Sequence, residues 1–263
     1  MNWKIVYKQA IQKDGSVLFP ERFSLESLNE IKRKVGSYIF ANQYQNIVIP
    51  DDEKRFRPEW IKHADALPYG EKFYTFGFID PAIGQKDNHD FTGVSIVSVD
   101  TNKNWYCRLL RRYKITPTQI VDLCFKLHKE FDLLALGIET IAYQEALLYM
   151  LDTEMRLRNE YLPVKGINQK GISKNVRILG LVPLFEFGRI FIPSHCKDFK
   201  DEYDLFPRAQ HDDILDSLAS LVELIYYPEK ERIFHEPRPT DKDYESHIIR
   251  KLGQQARYGE SID

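Results

Sequence analysis

Asp80, Glu139 and the group Asp212, Asp213 and Asp216 stand out by where they fall. Asp80 closes the apolar run FYTFGFID and is followed by Pro81, Glu139 closes LLALGIE, and the third group opens the periodic apolar segment ILDSLASLVELI. If the first two runs are adjacent strands and the third is a helix laid over their ends, these carboxylates converge. Such a cluster would suit hard divalent cations, Mg²⁺ or Mn²⁺, which prefer oxygen ligands and keep several waters. Two such ions roughly 4 Å apart activate a water on one side of a phosphodiester and neutralise the leaving oxygen on the other, with no histidine or cysteine nucleophile. Asp90, in DNHDFTG just before the next apolar run, can lean into the same place.

Plainer readings compete. With 39 acids in 263 residues, roughly one acid-acid-x-x-acid window arises by chance. Acids are favoured at helix N-termini, so Asp212 and Asp213 also read as capping residues, and Asp80 also reads as a turn residue before proline. What favours chemistry is the order of the three sites together with the strand pattern between them. FYTFGFID, TGVSIVSVD and NWYCRLLRRYK read as three strands of a meander. A helix over Pro117–Phe131 and a buried strand over Leu133–Thr140 come after them. Next are a long helix from Tyr143 to Asn159, a short strand over Tyr161–Lys165, a helix capped by Ser173 running through Phe185, and an edge strand over Arg189–Pro193. The final helix carries Asp212, Asp213 and Asp216 in its first turns. This pattern predicts an α/β fold, a mixed β-sheet flanked by helices.

The chain divides into three regions of unequal character. Residues 1–70 form a linker region of short elements, 71–227 the sheet-bearing domain, and 228–263 a charged tail expected to be mobile. Net charge is -2 and apolar residues make up 43%, which excludes a disordered or fibrous chain and a histone-like coat of positive charge. The three cysteines, Cys107, Cys124 and Cys196, have no metal-binding or redox spacing. No apolar run approaches the roughly 18 residues that a membrane span requires, and no secretory signal opens the sequence, so an intracellular protein without membrane contact is expected.

Two stretches lack acids and carry cations. Arg108, Arg111 and Arg112 lie among aromatics before Lys114; Lys170, Lys174 and Arg177 precede the acidic helix. Both sets suit sequence-independent contacts to DNA phosphates. The first set reads equally well as solvated charge on an exposed strand. His211 adjoins Asp212 and would orient a water or the substrate, or merely cap.

The segments GFIDPAIGQKDNHDFTGVSIV, LGIET, SKNVRILGLVPLFEFGRIFIP and HDDILDSLA, in that order, resemble the nuclease domain of phage large terminases, within the RNase H-like fold. The resemblance implies that Asp80, Glu139 and Asp213 are the catalytic acids and hold two Mg²⁺ or Mn²⁺ ions, with Asp212, Asp90 and Asp216 as further metal-site acids. It implies an endonuclease that cuts concatemeric double-stranded phage DNA during genome packaging in the host cell cytoplasm. Implied partners are that DNA, the terminase ATPase motor, the small terminase subunit and the portal. GSVLFPERFS and GSYIFANQYQN are similar to the stretch that ends a terminase ATPase domain, yet the chain has no GxxxxGK[ST] phosphate loop. Two alternatives remain: an RNase H-like nuclease with another substrate, of the Holliday-junction resolvase type, and a non-catalytic module that clamps DNA or docks a motor.

Overall fold

A computed structural model describes residues 8–47, 56–82, 91–140, 144–169 and 171–227. In chain order these form α1 (Leu25–Tyr44), β1 (Lys62–His63), β2 (Phe73–Asp80), β3 (Thr92–Asp100), β4 (Trp105–Tyr113), α2 (Pro117–Phe131), β5 (Ala135–Glu139), α3 (Gln144–Arg158), β6 (Val164–Ile167), α4 (Lys174–Leu179), α5 (Val182–Glu186), β7 (Ile190–Ile192), α6 (Lys197–Leu205) and α7 (Asp213–Leu224). The strands make one mixed seven-stranded sheet in the order β1-β7-β4-β3-β2-β5-β6. The pairs β2/β3 and β3/β4 are antiparallel, and all other neighbours are parallel.

Alternation along the strands supplies two cores. Phe76 and Phe78 of β2 and Val97 and Val99 of β3 face α4, α5, α6 and α7, whereas Ile79, Val94 and Ile96 face α2 and α3. β2 and β3 are thus covered on both sides, which is why they read as nearly continuous apolar runs. In β4 the partner of Ile96 is Leu109 and that of Val97 is Cys107, so Arg108 is the extra residue of a bulge. The bulge re-aims the rest of the strand, placing Leu110 in the same core as Cys107. The α2 limits match the expectation because its ends are chemically marked. Thr116 and Gln119 form a capping box, Pro117 occupies the first turn, and Asp132 ends the helix in the left-handed region at φ 50°.

Several expectations are corrected. The N-terminal stretch contains a 20-residue helix, α1, broken at Gly36 (φ 80°, ψ 162°). The helix expected from Ser173 to Phe185 is two, because Pro183 lacks the N–H that a continuous helix needs and instead starts α5. The strand expected at an edge, β7, lies inside the sheet, since β1 covers its outer side. The short strand β6 begins at Val164, later than expected, and α6 has no counterpart among the elements expected from sequence. Residues 56–63, assigned from sequence to the linker region, pack with the sheet. Phe56 is 1% exposed and meets Phe185, Tyr203 and Phe206, while β1 extends the strand array. The tail, 228–263, lies outside the described residues.

Candidate active site

β2 and β5 run parallel with Ile79 opposite Ile138, so Asp80 and Glu139 end the two strands side by side. Both share the face of Phe78 and Gly137, which is the α7 side of the sheet. Their carboxyls are within hydrogen-bonding reach. Burial pushes the Asp80 carboxyl well above its usual range, the Glu139 hydrogen bond and the charges of Asp216 and Glu139 push the same way, and Lys174 opposes them. Burial also raises Asp213 and Asp216, despite nearby cations.

Two features bring α7 to these strand ends. Gly93 of β3 is the register partner of Asp80, and a Cβ on it would lie 2.2 Å from the backbone oxygen of Asp213. The bare glycine lets the first turn of α7 rest on the strand next to Asp80. Glu202 of α6, 2% exposed, then accepts hydrogen bonds from the Ile214 and Leu215 N–H groups, each 3.0 Å. Asp212 stands at the N-cap position but makes no side-chain capping bond. Capping is therefore done by Glu202, and the carboxylates of Asp212 and Asp213 are left for other work.

Glu202 carries its own pH signature. Burial pushes its carboxyl up to about 7, helped by the Asp213 charge and opposed by the bonds from Leu215 and Ile214 and by Arg112. An unfolded glutamate releases its proton near 4.3. As pH rises from about 4.3 to about 7, the unfolded chain has lost this proton while the folded chain keeps it, so stability falls across that window, by about 4 kcal/mol at most. Glu202→Gln keeps an oxygen acceptor for α7 and cannot ionise. Thermal melting at pH values across this range should show a flatter decline in the variant; an identical slope would assign the loss to another group.

Two cations enter the acidic group from α4. Lys174 Nζ lies 2.6 Å from Asp212, 3.6 Å from Asp216 and 3.8 Å from Asp213. Arg177 grips Asp216, with Nε and Nη2 at 3.0 and 2.8 Å from Oδ1 and Nη2 at 2.7 Å from Oδ2, and its Nη1 lies 3.7 Å from Glu139. Burial works against the charge on Lys174, but the hydrogen bond to Asp212 and the charges of Asp216, Asp212 and Asp213 outweigh it and hold the ammonium above the usual lysine range. Lys174 and Arg177, expected to contact DNA phosphates, here neutralise carboxylates. Asp216, expected among the metal ligands, is engaged by Arg177.

The remaining expected residues separate. Arg112 pairs with Glu202 at 3.3 Å and with Asp198 at 3.7 Å, so it braces the cap of α7. Arg108 and Arg111 are exposed on β4, with the Arg108 guanidinium over the Phe131 ring. His211 Nδ1 lies 3.9 Å from Asp213, and its ring meets Phe91 edge-on. Phe91 in turn carries Arg112 and Lys114 over its ring. Asp90 and Lys170 lie outside the described residues. Sequence reasoning missed Glu202, Gly93 and Phe91; of these only Gly93, a glycine inside an apolar strand, left a visible sign of close backbone approach.

Among the described residues, no three acids, imidazoles or thiols form a ready metal cage. The donors present still suit a hard divalent cation, since Asp80 and Glu139 at the strand ends and Asp212 and Asp213 at the start of α7 offer only oxygen, and Lys174 marks a place beside the latter two that accepts positive charge.

The antiparallel trio β4-β3-β2, continued by the parallel strands β5 and β6 and bearing acids at the ends of β2 and β5 and on the helix above them, defines an RNase H-like fold. No protein-family model matches the chain, and no curated protein does. Solved structures do. The human cytomegalovirus terminase nuclease domain is 14% identical, with 68% of this chain and 96% of that one covered, at a TM-score of 0.47. The large terminase nuclease of thermophilic phage G20c is 18% identical, with 63% and 95% covered, at 0.46. The HK97 bacteriophage large terminase is 11% identical, with 76% of this chain and 50% of that one covered, at 0.48.

Proposed function

We propose that this chain is a metal-dependent endonuclease of the large-terminase type, cutting concatemeric double-stranded phage DNA during genome packaging in the host cell. The observation that supports the reading most directly is the placing of Asp80 beside Glu139 at the ends of β2 and β5, with the first turn of α7, which carries Asp213, resting on Gly93, the register partner of Asp80. Asp80, Glu139 and Asp213 would hold two Mg²⁺ or Mn²⁺ ions, with Asp212 beside them. Bound there, such ions supply an activated water and neutralise the leaving oxygen of a phosphodiester. The chain's own residues hold that arrangement in place. Glu202 and Arg112 fix the start of α7, Arg177 anchors Asp216, and His211 stands next to Asp213, able to orient a water. Arg108 and Arg111, exposed on β4, offer contacts to phosphates that do not depend on sequence. In this reading an ATPase motor, a small terminase subunit and a portal complete the assembly.

The test is nicking of supercoiled plasmid. Cleavage is expected with Mg²⁺ or Mn²⁺ and is expected to fail with Ca²⁺, whose larger size and looser coordination do not satisfy a site built for small octahedral ions. A four-way junction added as competitor should leave plasmid cleavage largely unaffected. Cutting that survives excess chelator would refute the metal mechanism, and strong inhibition by the junction would move the substrate to branched DNA.

A further inference from the structure

Lys174 and Arg177 sit three residues apart on α4, on one face of the helix, but they are held very differently. The Arg177 side chain is 11% exposed, and its fork matches the two oxygens of Asp216, itself 3% exposed. Next to it, Ile178 is fully buried and ties α4 to the core beneath α7. Lys174 begins the helix, is 36% exposed, and reaches Asp212, Asp213 and Asp216 at once. No shape match holds it there; it acts as a point charge on a flexible stem, whereas a guanidinium fork is preorganised for its partner.

We propose that Lys174 is an internal stand-in for a divalent cation. It neutralises Asp212, Asp213 and Asp216 when no such ion is bound, and it swings out to solvent when one enters, while Arg177 stays on Asp216. This inference rests on the metal-dependent reading above and adds the means by which the acidic group stays together without metal. Partly buried carboxylates near one another are costly unless a cation answers them. An ammonium that returns readily to water can fill that role and still give way. The exchange takes place at the exposed end of α4, so Ile178 and Arg177 need not move. It also makes the site bind metal more weakly than its number of acids implies, because each incoming ion must first displace a charge.

Mn²⁺ binding, followed by its electron paramagnetic resonance signal without DNA or turnover, tests the proposal. Lys174→Gln should bind Mn²⁺ about tenfold or more tighter than the wild type, since a positive charge within a few ångströms of the ligands has been removed. Its metal-free melting temperature should fall and recover on adding Mn²⁺. Lys174→Arg, which keeps the charge, should gain no affinity for Mn²⁺, and Asp80→Asn should bind poorly. If Asp80→Asn loses Mn²⁺ while Lys174→Gln binds no tighter than the wild type, the stand-in role is wrong and the metal site stands. If neither the wild type nor Lys174→Gln binds Mn²⁺, the metal-dependent reading fails and this inference fails with it.

Discussion

Asp80→Asn is expected to lower cleavage by about a thousandfold or more while leaving the melting temperature equal to or above that of the wild type. A bound divalent ion supplies several kcal/mol of charge stabilisation to phosphodiester cleavage, and each 1.36 kcal/mol is about tenfold in rate. Asparagine keeps the shape of the side chain but loses the charge that would hold an ion. The effect on stability runs the other way. Asp80 is half-buried, lies within hydrogen-bonding reach of Glu139, and feels the charges of Asp216 and Glu139; removing its charge relieves that repulsion. Plasmid nicking and thermal melting on the same sample separate the two effects. Normal cleavage by the variant would reduce Asp80 to a turn residue before Pro81, and a collapse in stability would make it a structural acid.

Gly93→Ala is expected to damage both stability and activity, although a methyl group in a strand is ordinarily mild. The added carbon would stand 2.2 Å from the Asp213 oxygen and 2.8 Å from its carbonyl carbon. Both are backbone atoms, which cannot turn aside, so β3 and α7 must separate. Overpacking of this kind typically costs about 1–3 kcal/mol. A displacement of Asp213 by about 1 Å would lower cleavage about a hundredfold. Melting and nicking assays on Gly93→Ala check both effects. Cleavage at the wild-type rate would show that α7 tolerates the shift and that Gly93 does not set the position of Asp213.

Much of this architecture was legible in the sequence where the signal is local. β2, β3 and β4 announce themselves as apolar runs between turn residues, and α2 carries its own start and stop at Thr116, Pro117 and Asp132. What was missed depends on partners distant in the chain. α6 reads KDFKDEYDL, with six charged residues of nine, and only Phe199, Tyr203 and the buried Glu202 reveal that one face packs inward. Glu202 caps a helix to which it does not belong, and Asp212, which the sequence offers as its cap, makes no capping bond. α1 is interrupted at Gly36, which sits against Pro183 of α5, and its apolar stripe is correspondingly faint. For Lys174 and Arg177 the sequence shows the charges but not their direction. Basic residues before an acidic helix suggest a phosphate contact, and only the packing of α4 against α7 turns them toward Asp212 and Asp216.

The register of β2 against β5 carries a consequence for how the chain acquires activity. Successive side chains along a strand point to opposite faces, so a slip of one residue in β5 would turn Glu139 toward α2 and α3, away from Asp80. Asp213 arrives later still, with a helix that needs Gly93 of β3 below it and Glu202 of α6 beside it. Contacts between residues so far apart in the chain form slowly, after the loops between them have closed. A chain still being synthesised, or one with the sheet only partly zipped, therefore holds the acids as separate, harmless charges. On the proposed reading, the capacity to cut DNA would switch on late and all at once, when folding is complete.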